Sequence, residues 1–387
     1  MTAKPLKVSN RQFIWIALLS LAVFASNLFL FYIQSIELSL SDFPTHIVFS
    51  LEGDSNYSLL HILVKLLHGV WSNTVLMSTL LALMSVAAVW AGWALLRYLA
   101  PDASPLLLFF AAFACTMEIS LYIPALGPMY LGSYGAGVWH NPTYTLLKPL
   151  AALALLYYLK ICKTYLDKFP WTHYAIFTVV LTLSTWVKPS FFVSFAPAMA
   201  VLLLRDFITR RGKGFGRMVI LGLSVAPSLL IIVMQSLILF DDANAVSIGW
   251  LTVLGHYTQY PVLSLLKSIA FPAVALAVCG RALKNNTAAW AAVLNTLFAV
   301  TYAFLLYETG RRLAEGNFMW GAFIAVFLLF LVATAALFQW QAKNKIIRSG
   351  SMAQKTGFWV MAALLAAHMV FGIIYYAGIF AYGTYLY

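Results

Sequence analysis

From Phe13 to Ile33 the chain runs through uncharged, mostly apolar residues, about the length needed to cross hydrocarbon as a helix. The same kind of run returns along the sequence. It predicts further spans at about Thr74 to Leu96, Leu106 to Ile123, Thr143 to Leu159, His173 to Val187, Phe191 to Leu204, Met218 to Phe240, Val262 to Gly280, Ala288 to Tyr307, Gly321 to Trp340 and Gly357 to Ile379. One segment breaks the pattern: in Leu59 to Val70 the residues Leu59, Ile62, Leu63, Leu66, Leu67 and Val70 share one helical face, which suits a helix lying in the membrane interface. The expected fold is therefore all-α, a polytopic membrane protein of about eleven transmembrane helices with an interfacial helix in the first outward loop. No internal repeat, low-complexity tract or long hydrophilic loop divides it, so residues 1–387 read as a single transmembrane domain.

Composition agrees with that pattern, since 63% of the 387 residues are hydrophobic and 9% charged. Threaded with a cytoplasmic N-terminus, the chain puts about 18 of its 24 Lys and Arg on the inner side. The formal charge of +12 thus has a topological reading, and nucleic acid is not an expected partner. Outward loops fall at about 34–73, 124–142, 241–260 and 308–320, and most of the acids and histidines lie in them. The first run follows Lys4, Lys7 and Arg11 but is long for a signal peptide and has no small-residue cleavage pattern, so it reads as a retained anchor. Cys115, Cys162 and Cys279 have no disulfide or zinc spacing and read as packing residues.

Chemistry-bearing residues concentrate at the outward ends. In SDFPTHI, Asp42 and His46 are four apart, so a helical turn begun at Pro44 lets them face one another, and a carboxylate so placed can act as general base or metal ligand; the plainer reading is a helix cap by Ser41 or Asp42. Asn141-Pro142 should open a helix with free amide donors at its outer end, a seat for phosphate. Lys148, about one and a half turns further on, and Lys188, before Pro189, are cations that must face protein, water or an anion; the plainer readings are snorkelling to the interface for Lys148 and, for either, pairing with a carboxylate such as Glu118. Glu308, Arg311 and Glu315 fall on one face if the helix before them continues, leaving Arg312 as the freer cation. Trp139, His140, Asn141, His256 and Tyr257 are candidates for contact with a sugar, and Asp241-Asp242 are weak candidates for a divalent metal. His368, in mid-span, reads as a buried, hydrogen-bonded histidine. No phosphate-binding glycine loop, dinucleotide fingerprint, HExxH or nucleophile elbow is present.

With Asp42 just after the first span, the amphipathic Leu59 to Val70 segment and the outward Lys148, Lys188 and Arg311, the chain resembles the GT-C superfamily of integral-membrane glycosyltransferases. The resemblance is one of arrangement over roughly the first seven spans. It departs from many members in having a single acid where they carry two, and in lacking a soluble C-terminal domain. It implies a polyprenyl-phosphate sugar as donor, a glycan or lipid acceptor, a site at the outer face of the plasma (inner) membrane and transfer with inversion. Asp42, assisted by His46, would be the base, and Lys148, Lys188, Arg311 and Arg312 would hold the donor phosphate. No cofactor is required by this reading, although a divalent metal ion is compatible with it. A polymerase or ligase of lipid-linked glycans, and a transporter or flippase of an anionic lipid or solute, are the alternatives.

Overall fold

The computed structural model describes residues 6–53, 57–123, 133–239 and 245–384. The elements in chain order are α1 (Asn10–Gln34), α2 (Phe43–Glu52), α3 (Leu59–His68), α4 (Asn73–Leu99), α5 (Pro105–Met117), α6 (Pro142–Cys162), α7 (Trp171–Val187), α8 (Ser190–Thr209), α9 (Phe215–Leu223), α10 (Ala226–Leu239), β1 (Val246–Ile248), α11 (Leu254–Tyr257), α12 (Pro261–Ser268), α13 (Ala270–Leu283), α14 (Thr287–Leu305), β2 (Leu306–Glu308), α15 (Met319–Asn344), α16 (Ile346–Ser349) and α17 (Met352–Tyr382). Strands β1 and β2 pair antiparallel, Val246 opposite Glu308.

Among the described residues eight helices are long and apolar enough to cross a membrane, nine if the bent pair Pro261–Ser268 and Ala270–Gly280 is one span. The chain is a multi-pass membrane protein, but the expected count of about eleven is not reached. Two segments account for the difference. α5 stops at Met117 after 13 residues, about 20 Å of rise, because the chain beyond turns extended: Glu118 accepts from the Ala136 N–H at 2.6 Å and the Ile119 N–H donates to the His368 carbonyl at 3.4 Å. α7 has 17 residues and ends where Lys188 is driven extended by the proline after it. The expected span at Met218 to Phe240 divides into α9 and α10, and the one at Val262 to Gly280 bends by 62° between α12 and α13.

The centre of the bundle is α15, 94% buried over its apolar window against 22% for α1 and α17. An apolar helix exposed to lipid loses nothing by solvation, so depth in such a bundle follows close packing rather than hydrophobicity. α15 meets α4, α5, α6, α8, α13 and α14. Gly92 of α4 lets Leu331 of α15 approach, and at Gly372 of α17 any side chain would run into the Met117 carbonyl. α3 ends at His68, caps itself through Ser58, and is pinned by the Ser58 hydroxyl donating to the Val187 carbonyl at 2.9 Å. Elsewhere Arg97 Nη2 donates to the Leu6 carbonyl at 2.9 Å and Tyr165 donates to Asp206 at 2.8 Å.

Candidate active site

Where α6, α7, α8, α10, α14 and α15 end or begin, they enclose a cavity of about 1110 Å³ with α2 and α3. That is at or above the upper end of the size usual for small-ligand sites. Its lining is mixed: Asp42, His46, His140, Asn141, Lys188 and Arg312 contribute polar groups, and Val193, Ile232, Ile238 and Leu239 apolar ones.

The polar part is assembled by stitching the chain after α1 to the chain before α6. The Ser41 hydroxyl donates to the His140 carbonyl at 2.6 Å, and the Asp42 N–H donates to the same oxygen at 3.3 Å. Ser41 also accepts from the Phe43 N–H at 3.0 Å, which caps α2 and releases Asp42 from that duty. Asn141 then reaches across: its Nδ2 donates to Asp42 Oδ2 at 2.8 Å, while its Oδ1 accepts from the Tyr144 N–H at 2.9 Å and the Thr143 hydroxyl at 2.6 Å. Lys188 completes the row, its Nζ donating to Thr143 Oγ1 at 3.3 Å from above the Trp320 ring, 4.7 Å from the centroid. A line of aligned donors thus runs from an ammonium to a carboxylate. The other carboxylate oxygen, Oδ1, has no hydrogen-bond partner. His46 Nε2 lies 3.8 Å from Oδ2, one helical turn on, as the spacing predicts.

Burial would raise the Asp42 carboxyl, but His46, His140 and Lys188 outweigh it and hold the group below the usual carboxylate range. Burial pushes the His140 imidazole down to about 4, with Asp42 opposing and Lys188 assisting. Burial also brings Lys188 down to about 8 against the pull of Asp42, Glu315 and Glu308, with Arg312 adding to the fall. At neutral pH the arrangement presents an ionised carboxylate, a neutral imidazole and an ammonium close to losing its proton.

Of the residues singled out from the sequence, the cavity collects Asp42, His46, His140, Asn141, Tyr257, Lys188 and Arg312. Others lie elsewhere. Lys148 is 3% exposed and donates to the Ala136 carbonyl at 3.0 Å, between the rings of Trp139 and Tyr144, so it neither snorkels to the surface nor forms an ion pair with Glu118, whose Oε2 has no hydrogen-bond partner. Trp139 packs on Tyr375 and Tyr376, and His256 meets Tyr257 edge-on outside the cavity lining. Two readings are corrected. Arg312 is not the free cation of its loop: Nε binds Glu308 at 2.8 Å and Nη2 lies 3.4 Å from Glu315, because Gly310–Glu315 winds as a 3-10 helix rather than continuing α14. The amide seat at the start of α6 is partly filled by the side chain of Asn141 itself. Asp241 and Asp242 lie outside the described residues, as does the side chain of Arg311. Among the described residues no group of three His, Cys, Asp or Glu is placed to hold a metal ion.

The sequence reading missed Tyr57, His61, Thr143, Gln235, Asn317 and Trp320 as cavity residues. Gln235 had a signal, a lone amide in the apolar run of α10; its Nε2 donates to the Tyr57 and Trp186 carbonyls at 3.0 and 3.2 Å. His61 is fully buried with neither ring nitrogen partnered, in a cluster with His46, Phe49 and Tyr57, and burial with the charges of His46 and Lys65 pushes it down to about 4. No protein-family model and no curated protein sequence matches this chain.

Proposed function

We propose that the chain is a membrane glycosyltransferase that takes its sugar from a polyprenyl-phosphate donor and joins it to a glycan or lipid acceptor at the outer face of the membrane. The observation that carries this reading is Asp42: one oxygen held by Asn141, the other without a hydrogen-bond partner, in a cavity whose lining also includes the apolar Val193, Ile232, Ile238 and Leu239. A donor with an ionic head and a hydrocarbon tail matches both kinds of side chain. The resemblance to the GT-C superfamily agrees, in its acid after the first span and its interfacial helix thereafter.

In this mechanism the acceptor hydroxyl donates to the Asp42 carboxylate, whose side chain is partly exposed to the cavity. As the proton moves to the carboxylate, the acceptor oxygen attacks the anomeric carbon, the bond from that carbon to the phosphate oxygen breaks, and the phosphate leaves with the electron pair. Lys188 answers the charge growing on the phosphate. Asn141 holds the carboxylate in place. A single displacement inverts the anomeric centre.

The bend between α12 and α13 favours transport as a second reading, because broken helices line the sites of many transporters. Opposed to it is the gathering of Asp42, His46, His140, Lys188 and Arg312 around one cavity, whereas Glu118, Lys148 and His368 are buried in packing. Transfer of labelled sugar from a panel of polyprenyl-phosphate sugars in proteoliposomes tests the proposal. Asp42→Asn, which keeps an acceptor for Asn141, is expected to reduce transfer by about 100-fold or more with unchanged thermal stability. Transfer that survives the substitution overturns Asp42 as base.

A further inference from the structure

One hydroxyl stands between the ammonium and the base. Lys188 Nζ donates to Thr143 Oγ1 at 3.3 Å, the Thr143 hydroxyl donates to Asn141 Oδ1 at 2.6 Å, and Asn141 Nδ2 donates to Asp42 Oδ2 at 2.8 Å. The direction of each bond is forced. An ammonium has donors only, so Thr143 Oγ1 accepts from it and the single hydroxyl proton is left for Asn141. Asn141 Oδ1 also accepts from the Tyr144 N–H at 2.9 Å, so both of its lone pairs are taken and the amide turns its Nδ2 toward Asp42. The hydroxyl that sets this order is buried, beside the Pro142 that opens α6, and Lys188 is steadied by the Trp320 ring 4.7 Å away.

The order depends on the proton of Lys188. A neutral amine has a lone pair and can accept, so a deprotonated Lys188 draws the Thr143 hydroxyl toward itself. Asn141 Oδ1 then keeps only the Tyr144 N–H, and its hold on Asp42 loosens. Resting on the transferase reading, we infer that Thr143 is a positioning residue that ties the base to the charged state of Lys188, so that Asp42 is aligned while the cation that answers the phosphate is in place. Thr143 acts through Asn141 and Lys188 rather than on the reacting atoms. Of the three ammonium donors it takes one, which leaves others for the phosphate.

Competitive labelling of lysines with trace acetic anhydride, read by mass spectrometry on the purified chain in nanodiscs, follows the protonation of Lys188 without requiring turnover. The charged and titratable groups that bear on Lys188 are Asp42, with His46 beside it, His140, Glu308, Arg312 and Glu315. All of them are retained in Thr143→Val and Thr143→Ser, so a difference between these two variants reports the hydroxyl. Thr143→Val withdraws the acceptor from the ammonium and is expected to lower the labelling midpoint of Lys188 by about one pH unit, the worth of a hydrogen bond to a charged group. It should also lower kcat for sugar transfer by about tenfold with little change in KM, and Thr143→Ser should restore both. A midpoint that Thr143→Val leaves unmoved overturns the inference, as does one that Thr143→Ser moves equally, or a Lys188 that resists labelling at every pH. A moved midpoint with unchanged transfer overturns the tie to the base. Wild type that transfers sugar from no donor defeats the transferase reading instead, and the labelling still decides whether Thr143 holds Lys188.

Discussion

At the scale of residues, Lys188 and Asn141 are the side chains whose roles can be separated most cleanly. Lys188 must be protonated to answer a departing phosphate, and burial brings it down to about 8. Transfer should therefore be full below that pH and fall as pH rises through it. Lys188→Arg keeps a cation that does not titrate in this range, and is expected to remove the alkaline limb of the rate profile while lowering the maximal rate, because the guanidinium cannot repeat the ammonium's contact with Thr143. Asn141 performs two tasks, capping α6 and holding Asp42. Asn141→Ala should lose both, at about 1 kcal/mol for the cap, read as a lower melting temperature. Asn141→Asp keeps a capping oxygen but sets a second carboxylate against Asp42. The carboxyl of Asp42 then rises, and the acidic limb of the pH profile moves upward with stability less affected.

At the scale of elements, the helices are held by fit. α17 crosses α5 where Gly372 meets the Met117 carbonyl, and backbone cannot swing aside as a side chain can. Gly372→Leu is expected to cost at least about 3 kcal/mol, seen as a large fall in melting temperature in detergent. Gly92→Ala meets the movable end of Leu331 instead and should cost far less. These helices were legible as apolar runs, and so was the face of α3. Less legible was where a run stops being helix: α5 ends early because Glu118 and Ile119 find partners on Ala136 and His368, contacts made across long stretches of chain. His368, expected to be buried and hydrogen-bonded, donates from Nδ1 to the Ile119 carbonyl at 2.6 Å.

At the scale of the whole molecule, the cavity lining combines ionic groups with apolar side chains of α8 and α10, among them Val193, Ile232, Ile238 and Leu239, and a lipid-linked donor would use both. Val193→Trp on α8 should fill space among these apolar side chains. Transfer from a long-chain donor is then expected to fall well below that from a short-chain donor, whereas wild type accepts both; equal loss with the two donors would mean that the tail does not lie there.

The sequence by itself determined the solvent of this protein, the approximate positions of most spans, the amphipathic helix and the pairing of Asp42 with His46 one turn later. Each of these depends on residues near one another in the chain, through transfer free energy or helical period. Only the tertiary structure decided that Lys148 turns away from the cavity, that Arg312 is shared by two carboxylates, and that Tyr57, His61 and Gln235 join the wall. Hydropathy says that a helix is in the membrane but not which neighbour it faces. That choice rests on close packing between surfaces that are all equally apolar, and the side chains that meet at the helix ends follow from it.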